Sequence, residues 1–178
     1  MKRLKLPITL TVLYYLFCFA QCKKNNQDSN GLPAATQEGK NTIGFLLNGQ
    51  PWKPQGIRGT GNLSIDYDAG FNQGIFSIVA YNFNTQISEQ FIIGVRDSLN
   101  FINAPITLSL NRFSLYSVSY NTPCNYFNQL NDVASTGSMT ITKLDRTSRI
   151  ISGTFSTTLT KAGCTELKIT DGRFDMKF

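Results

Sequence analysis

The side chains available for chemistry are acids, lysines and aromatic rings, because the chain contains no histidine. Ser-His-Asp and Cys-His nucleophiles, histidine general bases and most zinc and iron sites are thereby removed. The nearest thing to a catalytic acid pair is Asp171 and Asp175. Glycoside hydrolysis needs two carboxyl groups about 5 to 10 Å apart with one held protonated. Four residues along a straight strand set them about 13 Å apart, and Asp171-Gly172 reads more simply as a turn or bulge. No catalytic residue is assigned.

Asp66-Tyr67-Asp68-Ala69-Gly70-Phe71-Asn72 alternates oxygen side chains around a glycine, a fragment of what a calcium loop needs, without its closing glutamate. Asp, Gly and Asn are also the ordinary turn formers, so a solvated hairpin turn explains Asp66 and Asp68 more simply. No metal or other cofactor is expected. Aromatic residues are a third group. Trp52, Tyr81, Tyr116 and Tyr120 fall near expected strand ends or loops, where exposed rings could stack on sugars and are the candidate ligand-binding residues. Burial is the commoner fate of such rings in a β-protein.

The cysteines bear on location. Lys2, Arg3 and Lys5 precede an uncharged run over residues 6–20, the grammar of an export signal. The run is shorter than the roughly 20 apolar residues a spanning helix needs, and Pro7, Thr9 and Thr11 interrupt it. Phe19-Ala20-Gln21-Cys22 then resembles the lipobox of bacterial lipoprotein signals, with Phe19 and Gln21 where Leu and a small residue are usual. The rival is ordinary cleavage after Ala20. That would leave Cys22, Cys124 and Cys164 in an oxidising compartment, an odd count, and lipidation of Cys22 removes the anomaly. Cys124 and Cys164 are then expected to form a disulfide, with two separately buried thiols as the alternative. A closed loop of about 40 residues would restrict the unfolded chain by roughly 3 to 4 kcal/mol.

Charge excludes one class of partner. Three of the seventeen basic residues lie in the signal, which lowers the formal charge from +6 to +3 in the mature chain. No basic stripe or aromatic-basic interleaving suggests nucleic acid.

The elements that must position these groups are strands. Residues 22–41 are polar, with Pro33 and two glycines, and read as a disordered tether. From residue 42 onward, short runs rich in Ile, Val, Phe, Tyr and Thr are broken by turn formers. Strands are expected at 42–47, 50–52, 62–67, 74–82, 86–96, 106–110, 115–120, 137–144, 150–159 and 166–178, with Asn48-Gly49 as a tight hairpin turn and at most one short helical turn within 124–133. Phe174, Met176 and Phe178 alternate with Arg173, Asp175 and Lys177, one face for the core and one for water. Residues 42–178 are expected to form a single all-β domain, an antiparallel β-sandwich, with a closed up-and-down β-barrel as the alternative.

The signal and cysteine, the polar stretch, Gly44-Phe45-Leu46-Leu47-Asn48-Gly49-Gln50-Pro51-Trp52, Gly153-Thr154-Phe155-Ser156 and Ile169-Thr170-Asp171-Gly172-Arg173-Phe174-Asp175 together resemble the uncharacterised small lipoproteins of Bacteroidetes-type bacteria. That resemblance implies export, a lipid anchor and a β fold, and brings no catalytic residue. The expected function is an outer-membrane-anchored, non-catalytic binding or interaction module in the cell envelope. Its partners would be the membrane, through the lipid, and a glycan or an envelope protein, but not nucleic acid. A carbohydrate-binding accessory protein is the alternative, and a carboxylate-type glycoside hydrolase the third.

Overall fold

A computed structural model describes residues 28–57, 59, 61–84, 88–110, 124–126 and 132–178. Its strands are β1 (Thr42–Leu47), β2 (Gln50–Trp52), β3 (Leu63–Asp68), β4 (Ile75–Asn82), β5 (Glu89–Val95), β6 (Ile106–Ser109), β7 (Val133–Asp145), β8 (Ile150–Lys161) and β9 (Leu167–Lys177), with a 3-10 turn at Leu99–Phe101. They form two antiparallel sheets, six-stranded in the order β2-β1-β9-β8-β7-β6 and three-stranded in the order β3-β4-β5. Among the described residues neither sheet closes on itself, and the two pack face to face as a sandwich and not a barrel.

The period-two alternation explains the packing. Phe76, Ile78 and Ala80 of β4 and Phe91, Ile93 and Val95 of β5 are buried against Ile43, Phe45, Met139, Ile141, Ile151, Phe155, Phe174 and Met176 of the larger sheet. Each of these side chains larger than alanine contributes about 1.5 to 3 kcal/mol over the exposed state. The β1–β2 hairpin turns on Asn48 and Gly49, at φ 49° and 81°, the left-handed values that a two-residue hairpin needs. Asn48 also stitches this turn to β9, since its side-chain oxygen accepts the Lys168 N–H at 2.8 Å.

Midway along β9 the ladder slips by one residue against both neighbours, between Gly44 and Leu46 on β1 and between Phe155 and Thr157 on β8. Asp171, at φ 53°, marks this bulge. The extra residue lets Ile169 and Phe174, five apart, both face the core. Two glycine–phenylalanine pairs close the seam, Gly153 opposite Phe174 and Phe155 opposite Gly172. A Cβ on Gly153 would meet the Phe174 ring at 2.6 Å, and one on Gly172 would meet the Phe155 ring at 2.5 Å. Each ring covers the other strand's glycine.

One segment departs from expectation. Residues 28–41 are not a free tether but a strap laid over the outer face of the six-stranded sheet. Leu32 is fully buried, Pro33 sits over Gly44, where a Cβ would come within 2.6 Å of its ring, and Lys143 Nζ donates to the Gln37 carbonyl at 3.0 Å. Residues 124–126 are not helical, and β7 begins at Val133, earlier than expected. The expected strand at 115–120 lies outside the described residues.

Candidate functional site

Polar side chains on the outer face of the large sheet line up across strands. Thr140 of β7 lies opposite Thr154 of β8, and Thr154 opposite Arg173 of β9; Ser138 lies opposite Ser156 in the next row. Strands about 4.8 Å apart therefore set hydroxyls in rows, and Thr107 of β6 extends one row, its Oγ1 2.8 Å from that of Thr140. An open trough of about 400 Å³ runs over this surface, lined by Ser138, Thr140, Thr154, Ser156, Asp171 and Arg173, with Ala35 of the strap as its wall. The bulge positions Asp171 at its rim.

The strap that forms this wall is held by two carboxylates. Asp28 Oδ2 accepts from Arg173 Nη1 at 2.6 Å, while its Oδ1 caps the N–H groups of Asn30 and Leu32 at 2.9 and 3.0 Å. Burial pushes the Asp28 carboxyl up, but the Leu32 and Asn30 amides and the Arg173 charge outweigh it and hold the group below the 3.8 of an ordinary aspartate. Asp175 is the deeper of the two, with 1% of its surface exposed. It accepts from the Thr36 hydroxyl at 2.5 Å, the Ser152 hydroxyl at 2.7 Å and the N–H groups of Glu38, Gly39 and Lys40 at 3.1, 2.8 and 3.1 Å. Burial raises its proton affinity, and the hydrogen bonds from Thr36, Ser152, Gly39 and Lys40 overcome that, leaving the carboxyl below 3.8.

Asp171 and Asp175 consequently stand in different surroundings. A general acid has to remain protonated near the working pH. Asp175 is instead held ionised and enclosed by five donors, while Asp171 is exposed on the bulge. Asp68 uses its Oδ1 to accept the N–H groups of Gly70 and Phe71 at 2.7 and 3.2 Å, the geometry of a turn-forming aspartate. Among the described residues no group of three or more His, Cys, Asp or Glu side chains gathers as a metal site.

Two of the candidate rings, Trp52 and Tyr81, are among the described residues. Trp52, offered above as a ligand-binding ring, is 4% exposed, stacks on Phe45 with centroids 4.7 Å apart and donates its indole N–H to Glu89 at 2.6 Å. It is a core residue, because β2 turns it into the space between the sheets. Tyr81 is half-buried on the three-stranded sheet, stacked on Phe83 at 5.3 Å, with its hydroxyl accepting from Gln90 at 2.7 Å. Tyr116, Tyr120 and Cys22 lie outside the described residues. Cys124 and Cys164 are joined in a disulfide, with Cα atoms 5.6 Å apart, and beside it the buried Tyr126 donates its hydroxyl to the Thr165 carbonyl. The residues that reasoning from sequence passed over are Asp28, Thr36 and the hydroxyl rows; alternation at Ser138/Thr140 and Thr154/Ser156 was the available signal for the rows.

No protein-family model, no curated protein and no solved structure matches the chain.

Proposed function

We propose that the chain is an envelope lipoprotein, exported by residues 1–21 and anchored in the outer membrane through lipidated Cys22, whose β-sandwich binds a ligand without transforming it. The trough over β7, β8 and β9 is the observation that carries this reading. Its lining combines hydroxyls, each able to donate and accept, with the carboxylate of Asp171 and the guanidinium of Arg173, which suits a polar, hydrogen-bonding ligand. The sequestration of Asp175 by five donors supports a non-catalytic role, since it withdraws that carboxylate from pairing with Asp171. Resemblance to the small lipoproteins, and the even cysteine pair left by lipidation, support the anchor.

The same hydroxyl rows favour a glycan over an apolar ligand as the second reading. Glycan-array binding by the purified domain, compared with a variant carrying Thr140→Lys and Ser156→Lys, tests it. Loss of signal in the variant supports recognition in the trough, and equal signal removes the trough as the site. For the anchor, intact-mass analysis of the membrane fraction is expected to give a mature chain starting at Cys22 with added acyl mass, lost in Cys22→Ser. A chain starting at Gln21 without lipid would overturn it.

A further inference from the structure

The strap changes what the anchor does. A tether spanning residues 23–41 would let the domain range freely, but the chain is tied down from Asp28 onward, where Arg173 holds it. Only residues 23–27 separate Asp28 from Cys22. At the reach of an extended chain, those residue steps span at most about 20 Å. Asp28 does not sit at a remote corner. Asp28 is fixed over the outer face of the large sheet by Arg173 of β9, the strand next to β1, and the turn that follows reaches β2, where a notional Cβ on Gly31 would lie 3.9 Å from the Pro51 ring, so the short leash is attached on the outer face next to the β1–β2 hairpin.

We propose that the folded domain is held against the bilayer that carries its lipid, with the β1–β2 edge and the neighbouring strap apposed to the headgroups. This rests on lipidation of Cys22. The ligand class narrows accordingly: the trough shares its outer face with the strap, so its ligand is met at the membrane surface and not at the end of a long stalk. Lys23 and Lys24 in the leash suit a surface containing anionic lipid.

The single tryptophan, Trp52, lies on β2 at this edge and supplies the probe. Full-length lipidated protein is reconstituted into phosphatidylethanolamine–phosphatidylglycerol vesicles containing a dansyl-headgroup lipid, and energy transfer from Trp52 is measured. It is compared with a variant carrying about 15 Gly/Ser residues between Gln27 and Asp28, long enough as a flexible coil to double the reach. The expected result is strong transfer in the wild-type protein and a several-fold loss in the insertion variant, both proteins floating with the vesicles. Flotation with weak transfer that is the same in both overturns the apposition and leaves the anchor standing. Failure of the wild-type protein to float, with no acyl mass on Cys22, overturns the anchor and the apposition with it.

Discussion

Asp175 on β9 accepts a hydrogen bond from the Gly39 N–H at 2.8 Å across 136 residues of sequence. The strap, and with it the trough wall, is held by that contact and its neighbours from Thr36, Glu38 and Lys40. Asp175→Ala would leave the Thr36 and Ser152 hydroxyls and three backbone N–H groups without their acceptor. The expected loss is about 3 kcal/mol in urea unfolding, with new protease cleavage confined to residues 28–41. Undiminished stability would show that the contacts contribute nothing net.

Acid should release the strap. A carboxyl held below its unfolded value stabilises the fold fully at pH values above that unfolded value, and the contribution fades as pH falls through the lower, folded one. For Asp175 the fading begins near 3.8 and continues downward. Asp28 and Asp145 are shifted the same way, so the Asp175 share is read as the difference between wild type and Asp175→Asn. Proteolysis of the strap with an acid-tolerant protease is expected to rise below about pH 4 in the wild type, and in the variant to start higher and rise less, the remaining rise belonging to Asp28.

Trp52 is expected to behave as a core residue in every assay. Its emission should be blue-shifted and resist iodide quenching. Trp52→Ala should cost roughly 3 to 5 kcal/mol as a large cavity, in addition to leaving Glu89 without the indole donor. A stable Trp52→Ala protein with altered ligand binding would instead make the ring a surface contact.

Reducing the Cys124–Cys164 bridge, which spans 40 residues, should lower stability by roughly 3 to 4 kcal/mol, a fall in Tm on the order of 10 °C. Calorimetry with and without a phosphine reductant measures it. Because the bridge ties residues 124–126 to the β8–β9 loop, remote from Asp175, protease resistance of the strap should survive reduction.

What was legible in the sequence was local. Asn48-Gly49 declared its hairpin because positive φ is needed at both positions, and Phe91, Ile93 and Val95 declared the buried face of β5 by simple alternation. The Asp171-Gly172 step announced an irregularity, although only the slip against both β1 and β8 shows it to be a bulge. Residues 28–41 looked disordered because their own side chains bury little. Their order comes from Arg173 and Asp175, which lie 145 and 136 residues away from the groups they hold. The early start of β7 was hidden for a related reason: Ala134-Ser135-Thr136 has no apolar alternation and is recruited by pairing with β8. Trp52 looked like a platform on position alone, and the turn of β2 into the core was not written in its neighbours.

Native-state hydrogen exchange at the Glu38, Gly39 and Lys40 amides tests the strap most directly. Amides bonded to a buried carboxylate open only with the structure around them. Slow exchange at all three, approaching that of the β8–β9 ladder and lost in Asp175→Asn, is the expected result. Exchange of these amides at the rate of an unstructured peptide in the wild-type protein at neutral pH would contradict it and return residues 28–41 to a free tether.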